Sequence, residues 1–280
     1  MKIQQALEQL SQNRLPVPME PENYDHIELT FEEHEAAILI AKKEKARLQK
    51  MQAWHEKIRA TPFHYQPTAL DFYNTLLKTK SHQGNPYKII EANREMIVQL
   101  CLYFSNDSRL GTDPKTGVQV RPDLKHNKGI LLMGLPGTGK SHLMNFFSKN
   151  PKASYTVPTC KIIADKFRNN WNYEGQDTIH YYSNNTKAEV GHPWNQKELG
   201  ICFHDLGAEP MESQSYGNKL NVLETILFNR YENKTLPMNT THITTNLDEH
   251  QIEKLYGSRM RDRFREMFNV FVCKWESFRS

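Results

Sequence analysis

The chain has 280 residues, of which 38% are hydrophobic, 10% aromatic and 24% charged, and its net charge is +4. That length accommodates one α/β-sized domain plus an extension, and the aromatic content excludes wholesale disorder. No apolar run approaches the roughly 18–20 residues that a membrane-spanning helix needs, and the near-neutral charge supplies no global attraction to nucleic acid. The N-terminus MKIQQALEQLSQNRLPVP lacks the uninterrupted apolar centre of a secretory signal, so a cytoplasmic location is expected. Cys101, Cys160, Cys202 and Cys273 lie far apart with no Cys-x-x-Cys pair, which predicts buried free thiols.

In chain order, Ile3, Leu7 and Leu10 have helical spacing up to Pro16 and Pro18. A Gly- and Pro-free stretch from Phe31 to Ala60 predicts a charged helix carrying Ile38, Ile40, Leu48, Trp54 and Ile58. Its basic run, Lys42, Lys43, Lys45, Arg47 and Lys50, reads as a solvated face, a phosphate-contacting strip or a partner surface. After turn residues at Gly84, Asn85 and Pro86, the segment 89–104 predicts a helix packed on the following domain. Residues 105–128 gather Gly111, Pro114, Gly117 and Pro122 as a loop or short hairpin. The expected organisation is a helical partner-binding region over 1–105, a linker over 106–127 and a second domain over 128–280.

From Gly129 onward, short apolar runs alternate with helical segments. Strands are expected at Gly129 to Met133, Ser154 to Val157, Leu199 to His204, His242 to Thr245 and Val270 to Cys273, with helices at His142 to Lys149 and Lys219 to Glu232. Such alternation predicts a parallel sheet flanked by helices, an α/β fold.

The first of these strands runs into Gly134-Leu135-Pro136-Gly137-Thr138-Gly139-Lys140-Ser141, a full G-x-x-x-x-G-K-[ST] match followed by His142 and a helix. The glycines let successive N–H groups face phosphate oxygens, and the helix adds its positive end. Lys140 is expected on the β- and γ-phosphates and the Ser141 hydroxyl on Mg²⁺, which makes this a nucleoside triphosphate site without separating an ATPase from a GTPase or a nucleotide kinase. Two more strands end in polar groups. Asp205 closes Ile201 to Asp205, where a Mg²⁺-associated carboxylate belongs, and Asn246 closes His242 to Asn246, where an amide can sense the γ-phosphate.

With these residues assembled, the chain resembles the DnaC/IstB-type branch of AAA+ P-loop ATPases, bacterial helicase loaders and transposition helpers. The similarity runs from about Lys128 to Ser280 and is carried by the P-loop, by Ile243-Thr-Thr-Asn-Leu-Asp248, by Leu255-Tyr-Gly-Ser-Arg-Met-Arg-Asp-Arg-Phe264 and by Ser277-Phe-Arg279. The resemblance implies an AAA+-like sheet preceded by a mainly helical N-terminal extension. It implies Asn246 as a first sensor, Arg259 as an arginine finger offered to a neighbouring subunit, and Arg279 as a second sensor on the subunit's own phosphates. It implies an ATPase that forms an ATP-dependent homo-oligomer and acts with single-stranded DNA and a replicative helicase or a transposase-type protein.

The sequence departs from loader-like chains at Phe203-His204-Asp205-Leu206-Gly207, where two successive acids are usual. Keeping Leu-Gly in frame puts His204 in the first acidic position and Asp205 in the second. The other register makes Asp205 the Mg²⁺ acid, puts Leu206 in the place of the water-activating acid and leaves Glu209 as a distant substitute. Mg²⁺ prefers hard oxygen ligands, so either register loses one acid and predicts slow hydrolysis. Two further functions fit the pattern: an IstB-like helper that presents DNA to a transposase, and an ATP-binding scaffold with weak hydrolysis. A nucleotide kinase needs a mobile Arg-rich lid, and Asp165 to Gln196 has few arginines.

Overall fold

The computed structural model of the protein describes residues 30–60, 66–80, 87–168, 174–189, 191–215 and 218–278. The short helix expected at Ile3 to Leu10 lies outside them. Contacts divide the chain into Met1–Lys57 and Ile58–Ser280. In the described residues, α1 spans Phe31–Ala60 as expected, opened by Thr30 bonded to Glu33. Its apolar side chains Phe31, Ile38, Leu39, Ile40, Leu48 and Met51 are exposed, so these positions form no buried face.

The larger unit opens with a helix the pattern had not indicated, α2 at Ala69–Lys78. Its signal is Thr68-x-x-Asp71, a capping box in which each side chain bonds the other's backbone N–H. Next comes α3, Glu91–Phe104. Then follow β1 (Gly129–Gly134), α4 (Lys140–Phe146), β2 (Tyr155–Thr156), α5 (Cys160–Arg168), α6 (Glu174–Tyr182), β3 (Thr186–Lys187) and β4 (Glu198–Leu206). The chain continues with the hairpin β5 (Ser213–Ser215) and β6 (Asn218–Leu220), then α7 (Val222–Glu232), β7 (Thr241–Thr245), α8 (Glu249–Tyr256), α9 (Ser258–Met267) and β8 (Phe268–Cys273).

The main sheet has the order β2-β4-β7-β1-β8, all parallel, with β3 antiparallel on β4. Successive residues of β1 face opposite sides. Ile130 and Leu132 join a core with α2, α3 and α4, while Leu131 and Met133 join one with α5 to α9. Both faces are therefore covered, which suits an all-apolar strand such as Gly-Ile-Leu-Leu-Met.

This packing moves the boundary expected at 106–127. Residues Ile97, Leu100, Cys101 and Phe104 of α3 share one core with Ile130, Leu132 and Phe147, so α2 and α3 belong to the nucleotide-type domain. Residues 106–127 cover the open edge of β8: Lys125 N–H donates to Asn269 Oδ1 (2.8 Å), Asn269 Nδ2 donates back to Lys125 O (2.8 Å), and Arg121 donates to Val270 O (3.0 Å). Buried Gln99 holds the same segment through Gly111 N–H and Thr112 O. All four cysteines are buried free thiols, as expected.

His242, in the middle of the sheet, is fully buried, and its Nδ1 accepts from Ile130 N–H (3.0 Å) beside the rings of Tyr155 and Phe104. Desolvation lowers its pKa from 6.5 to about 3. The unfolded chain therefore takes up a proton below pH 6.5 that the folded chain refuses, and stability falls as the pH drops from 6.5 towards 3. For one proton the loss is about 1.4 kcal/mol per pH unit. In urea titrations between pH 7.5 and 5, His242→Asn is expected to flatten this dependence by one proton; identical slopes for the two proteins would refute the assignment.

Candidate functional site: a phosphate loop and its surroundings

The loop between β1 and α4 turns through positive φ at Gly137 (+85°) and Gly139 (+89°), conformations that side chains on Cβ disfavour. A Cβ on Gly137 would also lie 2.0 Å from Ser277 Oγ, and one on Gly139 would lie 2.9 Å from the Tyr87 ring. Inside the turn Thr138 is fully buried and donates to Leu135 O (2.9 Å). Lys140 is 4% exposed, and its Nζ donates to the carbonyls of Gly134 (2.7 Å) and Leu135 (2.8 Å). An entering triphosphate offers that ammonium anionic oxygens in place of neutral carbonyls, the stronger class of partner. The loop is a preformed anion cradle. With its strand before, its helix after and this strand order, the domain is a P-loop NTPase fold.

Three aromatic residues brace the cradle, Trp275, Tyr87 and the Phe278 of Ser277-Phe-Arg279. Trp275 Nε1 donates to Thr138 O (3.0 Å), and Phe278 N–H donates to Gly137 O (2.9 Å). Tyr87 stacks on His142 at 5.1 Å and meets Phe278 edge-on at 6.1 Å. The Tyr87 hydroxyl is buried beside Gly139 with no hydrogen-bond partner among the described residues, and burial raises its pKa. Tyr87 lies outside every local motif, so nothing in the sequence marked it. Trp275 and Phe278 flank the Ser277 that the resemblance had singled out.

Asp205 lies at a defect in the sheet. Between Phe203 and Leu206, β4 carries one residue more than β7, and Asp205 takes φ +56°, the left-handed region that few non-glycine residues adopt. Thr244 of β7 organises the defect: its Oγ1 accepts from Asp205 N–H (3.1 Å) and lies 2.7 Å from His204 Nδ1. The bulge brings His204 Nδ1 within 3.5 Å of Asp205 Oδ1. Asp205 keeps 40% of its side chain exposed. Leu206 is buried in the core and its carbonyl accepts from Thr245 Oγ1, so it supplies no polar side chain. Glu209 is no substitute acid either. It is 5% exposed and held by Tyr256 O–H and Gly207 N–H.

For Mg²⁺ this leaves the Ser141 hydroxyl and the Asp205 carboxylate, and no cluster of three or more His, Cys, Asp or Glu occurs among the described residues. Mg²⁺ accepts such a sparse set, because substrate phosphates and water complete its octahedron. The residues present fit a Mg²⁺–nucleotide; they do not form a protein-only metal cage.

Asn246 borders a cavity of about 680 Å³ with Gly134 and Leu135, so its amide and the start of the P-loop share one space. Arg261 and Arg265 line the same cavity, whereas Arg259 does not. In α9, Arg261 pairs with Glu253 (2.7 Å) and Asp262 (2.9 Å), Arg263 with Glu232 (3.0 Å), and Arg265 with Glu249. Glu266 accepts from Tyr231 O–H (2.6 Å). Arg259 is exposed in the first turn of α9. Arg279 lies outside the described residues.

Neither a protein-family model nor a curated protein matches the chain. Among solved structures it is similar to the crystal structure of the DnaC helicase loader at 14% identity, over 72% of this chain and 97% of that one, with a TM-score of 0.41. It is also similar to that of DnaI at 16% identity, over 71% of this chain and 93% of that one, with a TM-score of 0.41.

Removing the buried ammonium tests the cradle. Lys140→Ala is expected to weaken binding of a fluorescent ATP analogue roughly 10- to 100-fold, the worth of one charge-assisted hydrogen bond of about 1.5–3 kcal/mol. Unchanged affinity would show that the analogue binds elsewhere.

Proposed function

We propose that the protein is an ATP-controlled switch of the helicase-loader type, which assembles with ATP on single-stranded DNA and engages a replicative helicase. The observation that carries this reading is the division of labour among the α9 arginines. Three have acidic partners within the chain; Arg259, at the exposed start of the helix, has no ion pair among the described residues. A guanidinium left outside its own subunit's P-loop cavity suits supply in trans, where it neutralises γ-phosphate charge only after subunits assemble. Asn246, beside the P-loop, supports a sensor role. The chain bonds the loop through Phe278, next to the residue proposed as second sensor, Arg279.

On this reading Lys140 and Ser141 bind phosphate and Mg²⁺, and Asp205 acts on Mg²⁺ and water. A single carboxylate at the strand end makes turnover slow, which suits a protein that uses ATP to choose between conformations. The same missing acid supports a second reading, an ATP-binding scaffold with weak hydrolysis. A transposition helper shares all this chemistry and differs in partner; a neighbouring transposase gene favours it, and a replication module favours the loader.

The deciding experiment is pull-down of a replicative helicase and of single-stranded DNA by wild-type and Lys140→Ala protein, with and without ATP. The loader reading expects ATP-dependent retention by wild type alone and fails if neither partner is retained in any nucleotide state. For the chemistry, His204→Asp is expected to raise steady-state phosphate release about tenfold, within the range of a positioned acid or base. Arg259→Ala is expected to lower assembly-dependent release by about 10³-fold while sparing nucleotide affinity. A fast wild-type enzyme that His204→Asp does not accelerate would refute the slow-switch reading.

A further inference from the structure

Glu209 and Tyr256 make a contact that phosphate binding does not require. Glu209 lies four residues beyond Asp205; its Oε2 accepts from Gly207 N–H (2.8 Å) and its Oε1 accepts from Tyr256 O–H. Tyr256 is the last residue of α8, three residues before Arg259. The two residues are 5% and 3% exposed, and burial raises the pKa of each. A carboxyl–phenol pair is a costly core filling, since apolar side chains of similar volume carry no desolvation penalty. What it adds is direction: a polar joint between the segment after Asp205 and the elbow that carries Arg259.

Both ends of this joint are stiff. On one side Asp205 and Gly207 take φ of +56° and +95°, Ala208 N–H donates to Asp205 O (3.1 Å), and Gly207 packs so closely on Leu247 that a Cβ would lie 2.6 Å from its Cδ1. On the other, Gly257 takes φ +84° and ends α8 through its N–H to Glu253 O (2.9 Å), while its carbonyl receives Arg261 N–H (3.2 Å), a bond at the start of α9. A shift of the Asp205 segment is thereby passed to the elbow through one hydrogen bond.

We propose that the Tyr256–Glu209 bond positions Arg259, so that the finger a subunit offers its neighbour depends on the geometry of that subunit's own Asp205 segment. Tyr256 and Glu209 are positioning residues. The proposal rests on the reading of Arg259 as a finger acting in trans.

Mixed assemblies separate the two claims. Ser141→Ala subunits, which lose the Mg²⁺ hydroxyl but keep the Asp205 segment, carry an intact elbow and a disabled site; Arg259→Ala subunits carry the reverse. Mixing them recovers ATP hydrolysis above either alone if the finger acts in trans, and no recovery would overturn that reading and this proposal with it. Given recovery, Tyr256→Phe is expected to bind ATP within about twofold of wild type and to hydrolyse about 10- to 100-fold more slowly on assembly, the scale set by a misplaced catalytic group. Mixing with Ser141→Ala is expected to restore its activity, because the partner supplies a well-placed finger. Wild-type turnover by Tyr256→Phe, or no restoration on mixing, would overturn the proposal while leaving the trans finger standing. Should Tyr256→Phe fail to fold, Glu209→Gln and Glu209→Leu carry the test. The glutamine can still accept from Gly207 N–H and donate to Tyr256 Oη, so it is expected to keep most of the rate while Glu209→Leu loses it; equal losses would overturn the proposal.

Discussion

The order of the parallel strands constrains everything that the site contains. Because β7 lies between β1 and β4, the strand carrying Asn246 separates the phosphate loop from the strand carrying Asp205. Parallel strands end on one edge, so Gly134, Asn246 and Asp205 hang from that edge without any loop having to travel. The two-sided burial of β1 then fixes its register, since Ile130 and Leu132 serve one core and Leu131 and Met133 the other. A slip of one residue would exchange those faces and move the phosphate loop with them.

Around that edge the site is held by hydrogen bonds that cross between elements. Thr244, in β7, takes the Asp205 N–H and lies against His204, so the strand next to β1 determines how the acid of β4 is presented. Trp275 and Phe278 bond loop carbonyls from the C-terminal side, and Tyr87 closes against Gly139 from the N-terminal side of α3. The phosphate loop is therefore in contact with segments on both sides of the domain in sequence. Any ligand that displaces it also acts on those segments, a physical route from phosphate binding to a change of shape.

Much of this was legible in the sequence, and the rest was not for identifiable reasons. The P-loop declares itself because its glycines and Lys140 lie close together in sequence, and β1, β4 and β8 because buried parallel strands are short apolar runs, whereas β7 has one apolar residue, Ile243, among β-branched threonines. Helix α2 is short, and it escaped although Ala69, Phe72 and Leu76 are spaced for one buried face and Thr68 and Asp71 carried a capping signal. The boundary was set too late because 105–128 is rich in turn residues, and turn content does not distinguish a linker from a segment that covers a sheet edge. Tyr87 and Thr244 act through contacts distant in sequence, which no local pattern records. Glu209 offered the opposite lesson: an acid near the right place, but buried and already bonded.

The bulge at Asp205 ties the chemistry to the fold. A regular β4 would alternate His204 and Asp205 to opposite faces of the sheet; the extra residue and the left-handed backbone at Asp205 instead bring His204 Nδ1 within 3.5 Å of the carboxylate, both against Thr244. Left-handed backbone at a non-glycine residue costs of order 1–3 kcal/mol and persists only where its surroundings enforce it. Here the enforcing bonds are Asp205 N–H to Thr244, Ala208 N–H to Asp205 O and Gly207 N–H to Glu209. The last of these passes directly into the Tyr256 joint. The strained backbone at Asp205 and the bond that anchors the α8–α9 elbow thus belong to one short segment.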